Sequence, residues 1–517
     1  MHLAVFIAAA AIVLLARITL PFFKGIFSPL RSIPGPIAAR FTDLWYLWRV
    51  KKGRFEFDNI ELHRKHGEIV RYGPNRYSIS SPIAQKIIYG HGQKFPKSSW
   101  YHTWSNPHPD QWSLFTDQDI KRHSENRRQY QSAYTMSSLV SYESYVDECA
   151  DLFSQRLKEV AHAGIFADMG HWLQCYAFDV IGLITYSKRL GFLDAGDDIS
   201  GVIAALEDHL HYATLGGIYA WMHPYLFKLR NWLAGSMGTG RTYVMKFTQE
   251  RIAEHQKTQR KAIPVDGADD REAQSTTVDF LTKFFAKNAQ DPKAFSMYHL
   301  ATGCVSNMVA GSDTTAVTLS AILYYLLKNK RTLEALRQEI NSQPEEIKSS
   351  RHITFKDSQN MPYLQAVMKE ALRMHPATGL PLERVVPPGG ATICDRFFPE
   401  GSIVGINSWV AHRDTAVYGA DANEFKPERW LIVDKEKLSF MERSWMPFGL
   451  GSRTCIGRHI SFLEMSKLIP MLVRDFDFEL DGNLQAREWD TTNYWFVKPR
   501  NFRVKVSVRQ NGKAGLQ

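Results

Sequence analysis

Cysteine is scarce in this chain: its 517 residues hold five, at positions 149, 175, 304, 394 and 455. The number is odd and the spacings are long. That excludes the disulfide framework of a small secreted scaffold and places the bulk of the chain in a reducing compartment. Internal repeats and low-complexity tracts are missing as well. The net charge is +10, yet no zinc-finger, RNP-like or helix-turn-helix signature accompanies it, and the basic residues are scattered. Nucleic acid is therefore a poor partner, and an acidic protein or an anionic membrane surface suits the surplus better.

Unbroken apolar runs are few. Leu3–Ala16 is one; Arg17 interrupts it and Ile18–Phe23 resumes it. A membrane span needs about 17–25 apolar residues, so this segment suffices only if Arg17 snorkels its charge to the interface. No Lys or Arg precedes the run and no small-x-small site follows it, which argues against a cleaved signal peptide. Lys24, Arg31, Arg40, Arg49, Lys51, Lys52 and Arg54 come next, and basic residues keep their side of a membrane cytosolic. The expectation is a transmembrane anchor over 1–23 and a basic, proline-containing hinge over 24–50, centred on Ser32-Ile33-Pro34-Gly35-Pro36. A catalytic body over 51–517 would then hang in the cytosol.

Most of that body carries the helical period. Ser141–Val160, His171–Ser187, Tyr243–Gln256, Arg331–Ser342 and Pro362–Met374 place apolar residues at three- and four-residue steps. Strand patterns are short: Ile69–Tyr72, Tyr77–Ser80, Thr392–Ile393, Ser402–Ile406 and an alternating Phe502–Val508. The predicted class is mainly α with small β-sheets. The polar stretch His255–Thr277 reads as a surface loop between helices. Leu300–Asn329 lacks proline and is apolar nearly throughout, which predicts a long buried helix. Asp313 within it argues against a second membrane span.

The segment Pro447-Phe448-Gly449-Leu450-Gly451-Ser452-Arg453-Thr454-Cys455-Ile456-Gly457-Arg458 carries the most chemistry. Its glycines suit a tight turn that approaches something closely. Arg453 and Arg458 flank the cysteine, and cationic neighbours favour the thiolate, the form that binds metal. The string Phe-x-x-Gly-x-Arg-x-Cys-x-Gly resembles the heme-binding signature of the cytochrome P-450 family at every defining position. The resemblance implies the cytochrome P-450 fold, heme b as cofactor and Cys455 as the thiolate ligand to its iron, with Phe448 packed beside it.

Other segments resemble the same family in the same order. Ala310-Gly311-Ser312-Asp313-Thr314-Thr315 looks like its oxygen-activation motif. By that match Thr314 would hydrogen-bond dioxygen at the heme and Asp313 would relay protons. A mid-helix glycine costs about 1 kcal/mol relative to alanine, so such a weak spot should have a reason, and space beside a ligand is one. The plain alternative is a kinked helix whose hydroxyls bond back to its own carbonyls. Glu370-Ala371-Leu372-Arg373 lies between that helix and Cys455, with Pro427-Glu428-Arg429-Trp430 following it. The spacing recurs at Glu125/Arg128 and Glu334/Arg337, but only Glu370 has the family's order. Glu370, Arg373 and Arg429 would form a buried charge network, with Trp430 where Phe is more usual. His123, Arg127, Arg384 and Arg453 would hold the heme propionates; His123 stands where many relatives have Trp. Leu380–Gly390 is similar to the fungal pisatin-demethylase-like subgroup, which implies a filamentous fungus and secondary metabolism.

Phe95–Phe115 is rich in aromatic residues and would cover an apolar substrate cavity. Asp197–Leu229 is a candidate lid; Ala310–Thr314, Ala377–Leu382 and Trp495–Val497 are further candidate walls. The implied activity is an NADPH-dependent monooxygenase of the endoplasmic reticulum membrane, single-pass, that inserts oxygen into an apolar small molecule. Its implied partners are NADPH-cytochrome P-450 reductase and, as a second electron donor, cytochrome b5. A heme-thiolate isomerase or dehydratase that uses no dioxygen, and a non-catalytic heme protein that binds a ligand, are the alternatives.

Overall fold

In the computed structural model, residues 26–108, 110–235, 239–261 and 278–509 are described. The expected long helix runs Met297–Lys328, about 48 Å at 1.5 Å per residue. Ser296 starts it with a capping box closed by the His299 side chain, which satisfies donors the first turn would leave orphaned. Leu300, Cys304, Met308, Leu319 and Ile322 are fully buried, so the apolar surface that could suggest a membrane span is covered by protein instead. The helices Met169–Tyr186, Pro362–Met374 and Arg458–Asp475 pack against it. Gly311 owes its place to the first of these: a Cβ there would stand 2.9 Å from Ile181. The glycine thus makes room for a neighbouring helix, not for a ligand as expected.

Four small sheets sit at the periphery. The largest orders its strands Ile69–Gly73, Arg76–Ile79, Ile403–Gly405 and Arg384–Val385, antiparallel except for the parallel middle pair. Arg503–Val508 pairs with both Phe166–Asp168 and Phe476–Leu480. Asp490–Tyr494 folds back on Phe496–Arg500 through Trp495, whose φ is +79°. That last hairpin carries no Asn-Gly or Asp-Gly turn and its first strand is polar, so no sequence signal marks it.

Helices fall close to their expected limits: Glu143–Ala163, Met169–Tyr186, Lys330–Asn341 and Pro362–Met374. The expected loop from His255 is corrected at its start. The preceding helix continues to Lys261 because His255 is tied to Asp279 at 2.8 Å; the rest of that stretch, to Thr277, lies outside the described residues. Residues 26–50 do not stand apart from the body as a hinge would. Leu30, Ile33, Tyr46 and Val50 are buried, and the Pro34 carbonyl accepts from the Arg71 amide at 2.8 Å. Among the described residues no helix is long and apolar enough to cross a membrane; the anchor expected over 1–23 lies outside them.

Glu370 and Arg373 share one face of the helix Pro362–Met374, and both are wholly excluded from solvent. Their contact is bidentate, 2.8 Å for each bond. Arg429 adds a bond to Glu370 at 2.9 Å, the Lys426 amide another at 2.9 Å, and the Trp430 indole N–H a fourth donor at 2.9 Å. Trp430 therefore does more than replace a Phe: it supplies a donor that Phe lacks. Removing one member of a buried ionic group costs about 3–5 kcal/mol because the other charge is stranded. Arg373→Ala is expected to lose that much stability in denaturant titration and to lower the yield of heme-loaded protein. Trp430→Phe keeps the ring and should cost about 1.5–3 kcal/mol, the worth of a hydrogen bond to a charged group.

Candidate active site

Cys455 lies on a loop shaped by two left-handed glycines, Gly449 at φ +67° and Gly451 at φ +62°. At Gly451 a Cβ would stand 1.8 Å from the Tyr89 carbonyl oxygen, so no other residue fits. The loop closes through the Cys455 amide, which donates to the Phe448 carbonyl at 2.8 Å. The Phe448 ring packs between Trp445 and Phe462, with centroids at 6.0 and 5.6 Å. Burial raises the Cys455 thiol pKa above its ordinary value; the Gly457 amide, Arg127, Arg458 and the Arg458 amide oppose that.

The sulfur opens onto a cavity of about 320 Å³, within the usual range for small-molecule sites. Its walls bring together Phe448, Arg453, Cys455, Arg384 and Thr314. The remaining lining is largely as expected: Tyr101, Trp104, Trp112 and Phe115 from the aromatic stretch, Ala377 and Leu382, and Trp495 with Phe496. From the candidate lid, His209 alone reaches this cavity. Trp495 keeps its positive φ, a strain of about 1–3 kcal/mol. Its ring is fixed by Trp100, Tyr101, Trp104 and Phe115 at centroid distances of 4.8, 6.1, 6.0 and 5.8 Å.

Four cations, Arg384, Arg453, Lys97 and Arg127, gather at one side of the cavity around the His123 ring. Arg453 donates to the Asp117 carbonyl at 2.6 Å, while its Nη2 is buried without a partner. Burial, then the charge of Arg384, pushes Arg453 down to about 10. Burial likewise pushes His123 down to about 3, with Arg453, Lys97, Arg127 and Arg384 adding to it; the ring is neutral at pH 7 and still a donor. Lys97, buried and held by the Phe115 carbonyl at 2.6 Å, was not foreseen, because a lone lysine in a loop reads as surface. His123 and Arg127 stand behind the wall and do not line the cavity. A cluster of buried cations with an orphaned guanidinium N–H fits a dianionic cofactor edge, as the two propionates of heme would present.

The acid–alcohol pair divides. Thr314 faces the cavity, and its hydroxyl donates to the Ala310 carbonyl at 2.7 Å, the back-bonding alternative foreseen from the sequence. Asp313 does not face it. It lines a second cavity of about 610 Å³, where Lys498 pairs with it at 2.8 Å and Gln174 donates to it at 2.5 Å. Adjacent helical residues lie about 100° apart, so the two cannot share one face.

The turn at Gly451 yields a direct test. Gly451→Ala should displace the loop from Tyr89 and yield protein with little bound heme, read from its absorbance ratio at the Soret and protein bands.

The family model for Cytochrome P-450 matches residues 38–506. A pisatin demethylase from Fusarium vanettenii is 39% identical over 477 residues, 92% of this chain and 90% of that protein. A cytochrome P-450 monooxygenase from Aspergillus terreus is 38% identical, covering 89% of this chain and 94% of its own length. A third, named cicH, from Emericella nidulans, is 37% identical, covering 96% and 97%. The cysteine loop, the Glu370 network behind it and the cavity before it have a common origin: the chain belongs to the cytochrome P-450 family, whose cofactor is heme b.

Proposed function

We propose that this protein is a monooxygenase that places one oxygen atom from dioxygen into an apolar small molecule bound against Cys455 and Thr314. The observation that carries the reading is the shared cavity: an aromatic-walled space with the Cys455 sulfur on one side and a helical threonine hydroxyl on another. The names of the relatives, a demethylase and two monooxygenases from filamentous fungi, support it and support a role in secondary metabolism. Heme bound through Cys455 supplies the activation of dioxygen, the thiolate pushing electron density toward O–O cleavage.

The chain's own residues have separate tasks. Arg384, Arg453 and Lys97 orient the cofactor edge, with His123 and Arg127 behind them; Phe448 shields the sulfur. Thr314 offers a hydroxyl to the reacting side of the cavity. Asp313 holds its proton path in the second cavity, so the pair does not share one pocket. Electrons come from NADPH through a diflavin reductase at the membrane, with cytochrome b5 as a second donor. The exposed Arg458 beside the cysteine loop suits an acidic partner. The apolar run over 1–23 is the proposed single-pass anchor in the endoplasmic reticulum membrane, the body lying in the cytosol.

Cys455→Ala is expected to abolish the thiolate–carbon monoxide Soret band of the reduced protein; a retained band refutes the assignment. With a substrate in hand, Thr314→Ala should keep heme yet divert NADPH into peroxide, and unchanged coupling counts against its role. Turnover without reductant and dioxygen would favour an isomerase instead.

A further inference from the structure

The cavity holds a further cation that the cofactor edge does not explain. Arg241 is near the start of the helix Gly240–Lys261 and lines the cavity beside His209, Tyr298 and Thr302. Asp208, against the start of that helix, is taken: Arg230 binds it at 2.7 and 2.9 Å, and the Gly240 amide donates to it at 3.1 Å. Among the described residues no acid pairs with Arg241. Burial pushes its pKa down, with only Tyr298 acting the other way. The charge of Arg241 bears on the neighbouring His209 ring.

His209 completes the corner. Its ring is buried and meets Trp104 edge-on at 5.8 Å, with no hydrogen-bond partner among the described residues. Burial and Arg241 push its pKa down to about 3, so it adds a neutral donor and not a second charge. Val244, Met245, Val305 and Val309 surround the corner with apolar wall. A guanidinium half-removed from water, with no acid paired to it among the described residues and apolar wall around its corner, calls for an anion from the ligand.

We propose that the substrate carries a carboxylate, and that Arg241, assisted by His209, holds it while an apolar or aromatic body extends along the cavity toward Cys455. This rests on the reading that the cavity is where the substrate binds. The charged end fixes which carbon reaches the reactive side, so Arg241 would set regiochemistry as well as affinity.

The test uses the heme-loaded full chain and its Soret shift on titration with 2-naphthoate, biphenyl-4-carboxylate and dodecanoate, each beside its methyl ester. The best acid is expected to bind about tenfold or more tighter than its ester, the worth of a hydrogen bond to a charged group. That preference should vanish in Arg241→Gln and largely return in Arg241→Lys. If no acid outbinds its ester, including the case in which no acid binds, the proposal is overturned; so is it if Arg241→Gln keeps the full preference. The carbon monoxide band of the same preparations separates the failures. A wild-type protein without the thiolate band sinks the heme-thiolate reading itself, whereas an intact band with no preference for acids sinks the role of Arg241 alone.

Discussion

The region behind the cysteine loop depends on one carboxylate that water cannot reach. Glu370 is fully buried and accepts from Arg373, Arg429, Trp430 and the Lys426 amide. An ion in such a place is tolerable only when its attraction and hydrogen bonds are complete, so the helix, the Pro427 turn and the segment between them assemble together. Arg373 carries the constraint onward. Its guanidinium donates to the His412 carbonyl at 2.6 Å, and the His412 ring bonds the Arg373 carbonyl at 3.0 Å. The other ring nitrogen of His412 accepts from the Met446 amide at 2.9 Å. Met446 immediately precedes Pro447 and Phe448, so three linked contacts run from the buried carboxylate to the loop that presents the sulfur. Burial and Arg373 push His412 down to about 3, which keeps it neutral and able to accept that bond.

The wall facing the sulfur obeys a different logic. There the unsatisfied groups are functional. Arg453 has an orphaned N–H, Lys97 is buried against a carbonyl, and Trp495 holds a positive φ. None of these would be retained for stability alone. Neighbouring Glu383 shows the contrast: it accepts from Tyr72 at 2.9 Å, Ser98 at 2.5 Å and Arg76, and so anchors the strand that delivers Arg384.

The cysteine loop was legible because Phe448, Gly451, Arg453, Cys455 and Gly457 form a string whose chemistry admits few other readings. The long helix was legible from its unbroken apolar length, and Glu370 from its order between that helix and the loop. Direction was not. The motif order brings Asp313 and Thr314 together in one reading, but helical geometry turns them to different cavities. Trp495 was legible only as a candidate wall; nothing in the sequence shows a hairpin reversing at a tryptophan, since the turn is stabilised by four aromatic neighbours distant in the chain. Lys97 and Arg241 were invisible for the same reason. A single basic residue reads as surface until tertiary packing removes its water.

The division of the acid from the alcohol has a physical use. If both faced the substrate, a buried carboxylate beside an apolar ligand would need its own counter-charge within that space, and the cavity would lose its apolar character. Turning Asp313 to the second cavity lets Lys498 and Gln174 supply that compensation outside the substrate's reach. Lys498 is itself 3.6 Å from Glu207, which is half exposed, so the charge on Asp313 communicates with solvent through the second cavity and not across the first. Thr314 follows Asp313 directly, and its hydroxyl engages the Ala310 carbonyl one turn back, so the alcohol stays on the first cavity while the carboxylate and its counter-charge lie in the second.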